Sequence, residues 1–212
     1  DAPSRNLARY VARTADRYVR NLEPLMIFRL DRFGRGGDQM PFTEEGYPAV
    51  RLTEAHEDYR RQHQDLRVED GTEYGDVLEE VEFDYAAKVT GLNAAVLASL
   101  AWAPPPPRGV EVEGAVSPST TLRWDRFSAR DARSAPTVSG LAGYKVYWRR
   151  TTSPRWEKSV FVGDTTAHTL TDVVIDNYVF GVASVSEDGF ESPVVFPGPV
   201  GSFLPAEWQP EE

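Results

Sequence analysis

The sequence predicts two parts: an α/β part over residues 1–102 and an all-β antiparallel sandwich over 109–200. A proline-rich linker at 103–108 joins them, and a tail follows at 201–212. Three observations carry this division. The run WAPPPPRG (102–109) holds four consecutive prolines, which favour stiff polyproline II geometry and stop a preceding helix. Before it, helical and strand-like patterns alternate, as they do in α/β folds. After it, short runs rich in β-branched and aromatic residues are separated by turn residues, which is the texture of a sandwich.

In the first part, Leu7, Val11, Ala15, Tyr18 and Leu22 recur at helical spacing, with Ser4 placed to cap the helix. PLMIFRL (24–30) and PAVRLT (48–53) read as short buried strands. DQMPFTEEG between them reads as a short helix closed by Gly46. FDYAAKVTGLNAAVLASLAW (83–102) reads as a long helix with Tyr85, Val89, Leu92, Val96 and Leu100 on one face. Two strands do not make a stable doubly covered sheet, so most of that sheet is expected outside this chain. The opening DAPSRNLARYV, without Met or signal peptide, likewise reads as cut from a longer polypeptide.

In the second part, seven runs are expected as strands: GVEVEGA, TTLRWD, GYKVYWRR, EKSVFVG, AHTLTD, NYVFGVASVS and ESPVVFPG. Trp124 and Tyr178 are spaced as core aromatics. Leu170, eight residues before Tyr178, suits a tyrosine corner in which the phenol bonds back to the chain upstream. This stretch resembles a single fibronectin type III module, an immunoglobulin-like sandwich, over nearly its whole length.

Composition narrows the function. There are 33 acidic against 23 basic residues, a net charge of −10, and both parts share the excess. Such a surface repels phosphate backbones and argues against a nucleic acid partner. No apolar run approaches the roughly 20 residues needed to span a bilayer as a helix. With no cysteine, disulfide and thiol chemistry are excluded, and a metal site would depend on carboxylates and on His56, His63 and His168.

The charge-dense stretch DRFGRGGDQMPFTEEGYPAVRLTEAHEDYRRQHQDLRVED (31–70) is the candidate site. Loops after strand ends are where α/β folds bind ligands. On composition alone a solvated surface loop explains it as well. GRGGD lacks the lysine and Ser/Thr of a phosphate-binding loop, and no Gly-x-Ser-x-Gly elbow is present. His168 falls in an expected sandwich strand and reads as structural; His56 has no motif around it. The pair Glu44–Glu45 reads as solvated charge, and Glu79–Glu80 as favourable charge before the long helix.

GGDQMPFTEEGYPAVRLTE followed by HQD (63–65) resembles the C-terminal part of the catalytic domain of co-catalytic zinc exopeptidases. These are bacterial aminopeptidases related to glutamate carboxypeptidase and the transferrin receptor ectodomain. Asp38, Pro41, Phe42, Gly46, Pro48 and Ala49 match that family, and VEFDYAAKVTGLNAAVLASLA matches its closing helix. The likeness covers residues 1–101, and a trailing fibronectin-like domain also occurs in bacterial members. It implies helices on both faces of a sheet only partly present here. Two positions depart from the pattern: Gln39 stands where a His commonly follows the Asp, and Arg61 stands four residues before Asp65, the usual zinc His position. Arginine stays protonated and cannot ligate a metal. Either His63 serves instead, or that zinc is lost.

The resemblance therefore implies a zinc-dependent aminopeptidase-like hydrolase in a secreted or periplasmic setting, with two zincs in the intact parent and a peptide substrate. His63 is the candidate metal ligand here, and Asp38 and Gln39 lie in the vicinity of the substrate site. The general-base Glu and remaining ligands are expected upstream, so this chain alone should be inactive. The alternative is a zinc-free, peptidase-like binding protein. On either reading the sandwich could contact protein or cell-wall polysaccharide.

Overall fold

A computed structural model describes residues 2–29, 34, 36–126 and 140–198. The expected tail at 201–212, Leu30 of the first expected strand and Arg35 of GRGGD lie outside the described residues. The chain divides into two compact units, Asp1–Ala98 and Ser99–Glu212, with the division inside the last turns of the long helix.

The first unit opens with helix α1 (Pro3–Tyr18). Its start differs from the expectation: Ala2 holds the capping position and Pro3 the first turn, where its missing N–H costs nothing. Ser4 is thereby freed, and its hydroxyl accepts the Ala49 N–H at 3.2 Å. Tyr10, Val11, Ala12 and Ala15 bury one side of α1. Helix α2 (Gln39–Glu44) ends as its sequence predicts, with Gly46 at φ 82° and the Tyr47 N–H closing on the Phe42 carbonyl at 2.8 Å.

The segments 24–29 and 48–53, expected as buried strands, form neither helix nor ladder. A strand is completed by hydrogen bonds to a neighbour, and among the described residues no strand lies alongside either. The α/β sheet expected from the sequence is thus not formed among the described residues. The only ladder among the described residues of this unit is a hairpin of β1 (Arg67–Glu69) and β2 (Thr72–Tyr74), turned by Asp70 and Gly71 at φ 50° and 78°. A 3₁₀ turn at Leu78–Glu80 leads to helix α3 (Phe83–Trp102), whose limits match the sequence reading. Leu92, Val96 and Ser99 bury its inner stripe.

The second unit is a β-sandwich. One sheet orders β3 (Arg108–Glu113), β4 (Thr120–Asp125) and β7 (Ala167–Leu170). The other orders β6 (Lys158–Gly163), β5 (Leu141–Arg150) and β8 (Tyr178–Ser186), and all pairs are antiparallel. Alternate residues point inward: Val110, Leu122, Trp124 and Leu170 meet Tyr144, Val146, Phe180 and Val182 in one core. Trp124 packs on Tyr144 with ring centroids 5.5 Å apart. Six of the seven expected runs form strands. The last, ESPVVFPG, forms no regular strand and bridges β8 at Val195–Val182 and Glu191–Val185, because Pro193 and Pro197 lack ladder N–H groups. The tyrosine corner is not formed either. Tyr178 opens β8 and leans on Phe180 at 6.2 Å, with no hydroxyl hydrogen bond among the described residues.

The residues after β8 form a strap that runs back along β8, where Val182 and Val195 exchange backbone hydrogen bonds at 2.9 and 2.8 Å. Gly181 permits this: a Cβ there would sit 2.4 Å from Val194 Cγ1 and 2.9 Å from the Val195 carbonyl. Val194 of the strap is buried against Tyr147 and Ala183, with Trp156 beside them. Lys145 Nζ donates to Glu191 Oε1 at 3.1 Å, and the Tyr147 hydroxyl donates to Glu191 Oε2. Arg149 stacks 5.6 Å from the Trp156 ring centre, and burial holds its pKa below the usual arginine value. At Gly198, the last described residue of this stretch, the N–H donates to the Val110 carbonyl at 3.0 Å.

Candidate functional site

The loop 58–66 is tied down from its first residue. Asp58 accepts the Arg60 backbone N–H at 3.0 Å and the Arg60 guanidinium at 2.6 Å. That charge-assisted bonding pulls the Asp58 carboxyl down to about 2. The Arg60 carbonyl in turn accepts the Gly75 N–H at 2.9 Å, which fastens the loop to the end of the hairpin.

Arg61 is a structural clamp. Its side chain is 20% exposed, and Nη2 lies 3.1 Å from Glu80 Oε1 and 3.8 Å from Glu73 Oε2. It thus joins the loop to β2 and to the 3₁₀ turn. Glu80, expected as favourable charge before the long helix, is the nearer partner of this clamp.

His63 follows two residues on, in the left-handed region at φ 55°. Its backbone N–H donates to Asp76 Oδ2 at 3.1 Å, while the residue itself is exposed. The main chain is held, and the imidazole faces solvent. His56 lies on an exposed bend, and His168 sits half-buried in β7 opposite Leu122.

Asp38 and Gln39 stand apart from this loop at the start of α2. Gly37 leaves room there for the Gln39 side-chain oxygen and Arg51; a Cβ at Gly37 would lie 2.4 Å from that oxygen. Arg51, in the segment 48–53, donates to the Gly36 carbonyl. No hydrogen bond or ion pair joins Asp38 or Gln39 to His63 among the described residues.

Zinc needs three or four converging protein ligands. No three His, Cys, Asp or Glu side chains converge among the described residues. Arg61, held as a cation by two carboxylates, has no lone pair to give. These residues do not by themselves fit a zinc ion. Among the described residues, no helix is long and apolar enough to cross a membrane.

Sequence reasoning missed the β1–β2 hairpin, and with it the partners of the loop: Glu73, Asp76 and Glu80. The signal was present. Asp70-Gly71 between RVE and TEY is a strong two-residue turn motif.

No protein-family model matches the chain. A probable zinc metalloprotease of Leptosphaeria maculans is 43% identical over 200 residues, which is 94% of this chain and 44% of that protein. Probable zinc metalloproteases of Pyrenophora tritici-repentis and Pyricularia oryzae are 38% and 39% identical, each over 94% of this chain and 39% of their own length. The chain therefore spans less than half the length of these relatives. They are fungal, whereas the resemblance read from the sequence was to bacterial enzymes. Among solved structures, a fibronectin type III-like protein from Clostridium thermocellum matches 43% of this chain and 85% of its own, at 24% identity and a TM-score of 0.32. Domains A168–A170 of titin match 45% of this chain and 32% of their own, at 25% identity and a TM-score of 0.33. The chain is related in sequence to fungal proteins named probable zinc metalloproteases, and its second unit is a β-sandwich.

Proposed function

We propose that this chain is part of a zinc-dependent, aminopeptidase-like metallopeptidase that hydrolyses peptide bonds, with the sandwich as an accessory fibronectin type III module. The observation that carries the reading is the 43% identity to a probable zinc metalloprotease, extending over 94% of the chain. The loop geometry supports it. His63 has its backbone fixed by Asp76 and its imidazole open, so it can be offered to a metal held mainly by other residues. Those other ligands, and the Glu that serves as general base, belong to sequence outside these 212 residues. Zinc in such enzymes supplies activated water and polarises the carbonyl. In this reading Asp38 and Gln39 flank the substrate, two zincs occupy the complete enzyme, and the 212-residue chain alone is inactive. The setting is secreted or periplasmic, and the sandwich contacts protein or cell-wall polysaccharide.

Elemental analysis of the longer protein and its His63→Ala variant tests this, alongside release of N-terminal residues from short peptides with and without chelator. The expected result is about two zincs, falling to one or fewer in the variant, with chelator-sensitive activity. Unchanged zinc in the variant makes His63 an ordinary loop residue. A protein with neither zinc nor activity sinks the peptidase reading.

A second reading has one observation in its favour. Arg61 is committed to Glu80 and Glu73 as a cation, at the position where the resembling family keeps a zinc histidine. On that reading the first unit is a zinc-free peptidase-like scaffold, and the sandwich carries partner binding. The same elemental analysis separates the two.

A further inference from the structure

The two edges of the β6–β5–β8 sheet are finished differently. Along β8 the strap supplies backbone partners, at Val182 and again where the Ser192 N–H donates to the Ser184 carbonyl at 2.9 Å. Along β6, no described residue outside β5 bonds to the backbone of 158–162. A proline or an inward charge ordinarily deters pairing at such an edge, and SVFVG (159–163) has neither. In the other sheet, β7 has only 4 residues and β3 is met by Gly198 at Val110. The side chains of β6 divide cleanly. Val160 and Val162 lean on the core, while Phe161, on the opposite face, is 52% exposed.

A second copy of this chain complements that edge. Two identical strands pair antiparallel about a two-fold axis, with residues equally far from the axis set opposite one another. The axis passes through a residue, because a half-step would set core-facing side chains against solvent-facing ones. With the axis at Phe161, the two Phe161 rings are neighbours, Val160 faces Val162, and Lys158 faces Asp164. With the axis at Val160, Lys158 faces Val162; with it at Val162, Lys158 faces Thr166. Of these three registers, the one at Phe161 alone joins opposite charges, and symmetry makes that pair twice. Lys158 and Asp164 are both exposed. Asp164 Oδ2 takes Arg126 Nη1 at 2.8 Å, and a carboxylate accepts from more than one donor. From this complementarity we infer that β6 is a self-association edge, through which two copies of the chain join their 3-stranded β6–β5–β8 sheets into one continuous sheet centred on Phe161. Aromatic and charged cross-strand pairs are worth a fraction of a kcal/mol each, so the dimer is a weak, reversible one. It is independent of whether the first unit holds zinc.

Sedimentation equilibrium of the 212-residue chain tests this. The mean mass should rise with concentration from 23.7 kDa towards twice that value. Phe161→Asp brings like charges together at the axis and should hold the mass at 23.7 kDa. Its circular dichroism should match the parent's, because Phe161 is exposed. Lys158→Asp and Asp164→Lys should each weaken the dimer about tenfold, since two pairs turn from attraction to repulsion. The two reversals together should restore it. The chain has no cysteine, so Phe161→Cys provides a single thiol that should cross-link to its copy on oxidation. Opposed residues of an antiparallel pair have Cα atoms about 4.5–5.5 Å apart, within disulfide reach. Ser159→Cys, set opposite Gly163, should cross-link far more slowly. A mass fixed at 23.7 kDa at every concentration overturns the inference. So does a dimer that survives Phe161→Asp, a double reversal that stays monomeric, or Ser159→Cys cross-linking as fast as Phe161→Cys. A chain that pairs at β6 only with a different polypeptide overturns it too.

Discussion

The carboxylate of Glu191 under the strap gives the sharpest quantitative prediction. Glu191 is 7% exposed, and Lys145, its ionic partner at 3.1 Å, has a side chain 26% exposed. At an effective dielectric of about 20, two unit charges at this separation attract by roughly 5 kcal/mol, before the cost of desolvating them. Removing one partner of a buried pair costs about 3–5 kcal/mol, because the other charge is left uncompensated. Lys145 still meets some water, so Lys145→Met should cost about 3 kcal/mol. Tyr147→Phe deletes one hydrogen bond to the same carboxylate and should cost about 2 kcal/mol. The double variant Lys145→Met/Glu191→Leu removes both charges together and should recover most of the loss. Urea unfolding followed by tryptophan fluorescence isolates this unit, since every tryptophan in the chain lies at position 102 or beyond. With a slope of about 2 kcal/mol per molar urea, Lys145→Met should lower the midpoint by roughly 1.5 M. A Lys145→Met loss below about 0.5 kcal/mol would refute the reasoning, because that is the range of exposed pairs. A double variant as unstable as Lys145→Met alone would refute it too.

Three further outcomes are expected. Arg61→Ala should cost only about 1 kcal/mol, since Glu73 and Glu80 are largely exposed; its clearer mark should be faster amide exchange at Gly75 and across 58–66. The Asp58 carboxyl titrates at about 2, below its ordinary 3.8. Its folded-state pKa is depressed, so its contribution is complete above pH 4 and is lost as pH falls through about 2. A carbon-detected NMR titration with a midpoint near 4 would contradict the bonding to Arg60. Gly181→Ala should destabilise the sandwich by about 2 kcal/mol, because the new methyl overlaps Val194 and the Val195 backbone; an unfolding midpoint unchanged from the parent would show that the strap moves freely.

What could be read from the sequence divides according to what each element needs. The long helix is legible to the residue, because i to i+4 hydrogen bonds and an apolar stripe are local properties. TTLRWD is equally clear, since turns bound it and its alternation matches one buried face. PLMIFRL carries the right pattern but forms no ladder among the described residues, because pairing is a property of two segments and the pattern specifies only one. ESPVVFPG fails as a regular strand for a local reason that was visible: its prolines. In the loop, the sequence pointed to His63 and to Arg61 as a departure, but not to what Arg61 does. That depends on Glu73 and Glu80, which are brought to it by a hairpin whose Asp-Gly turn was passed over.

The closing bond of the sandwich also bears on how such a module can be placed within larger proteins. Gly198 and Val110 are joined through their backbones, so the last described residue of the strap meets the first strand of the sandwich. A unit with neighbouring ends can be spliced into a surface turn of a host without prising the turn apart. A module whose first strand and last described residue meet in this way can be carried as an insert as well as an appendage.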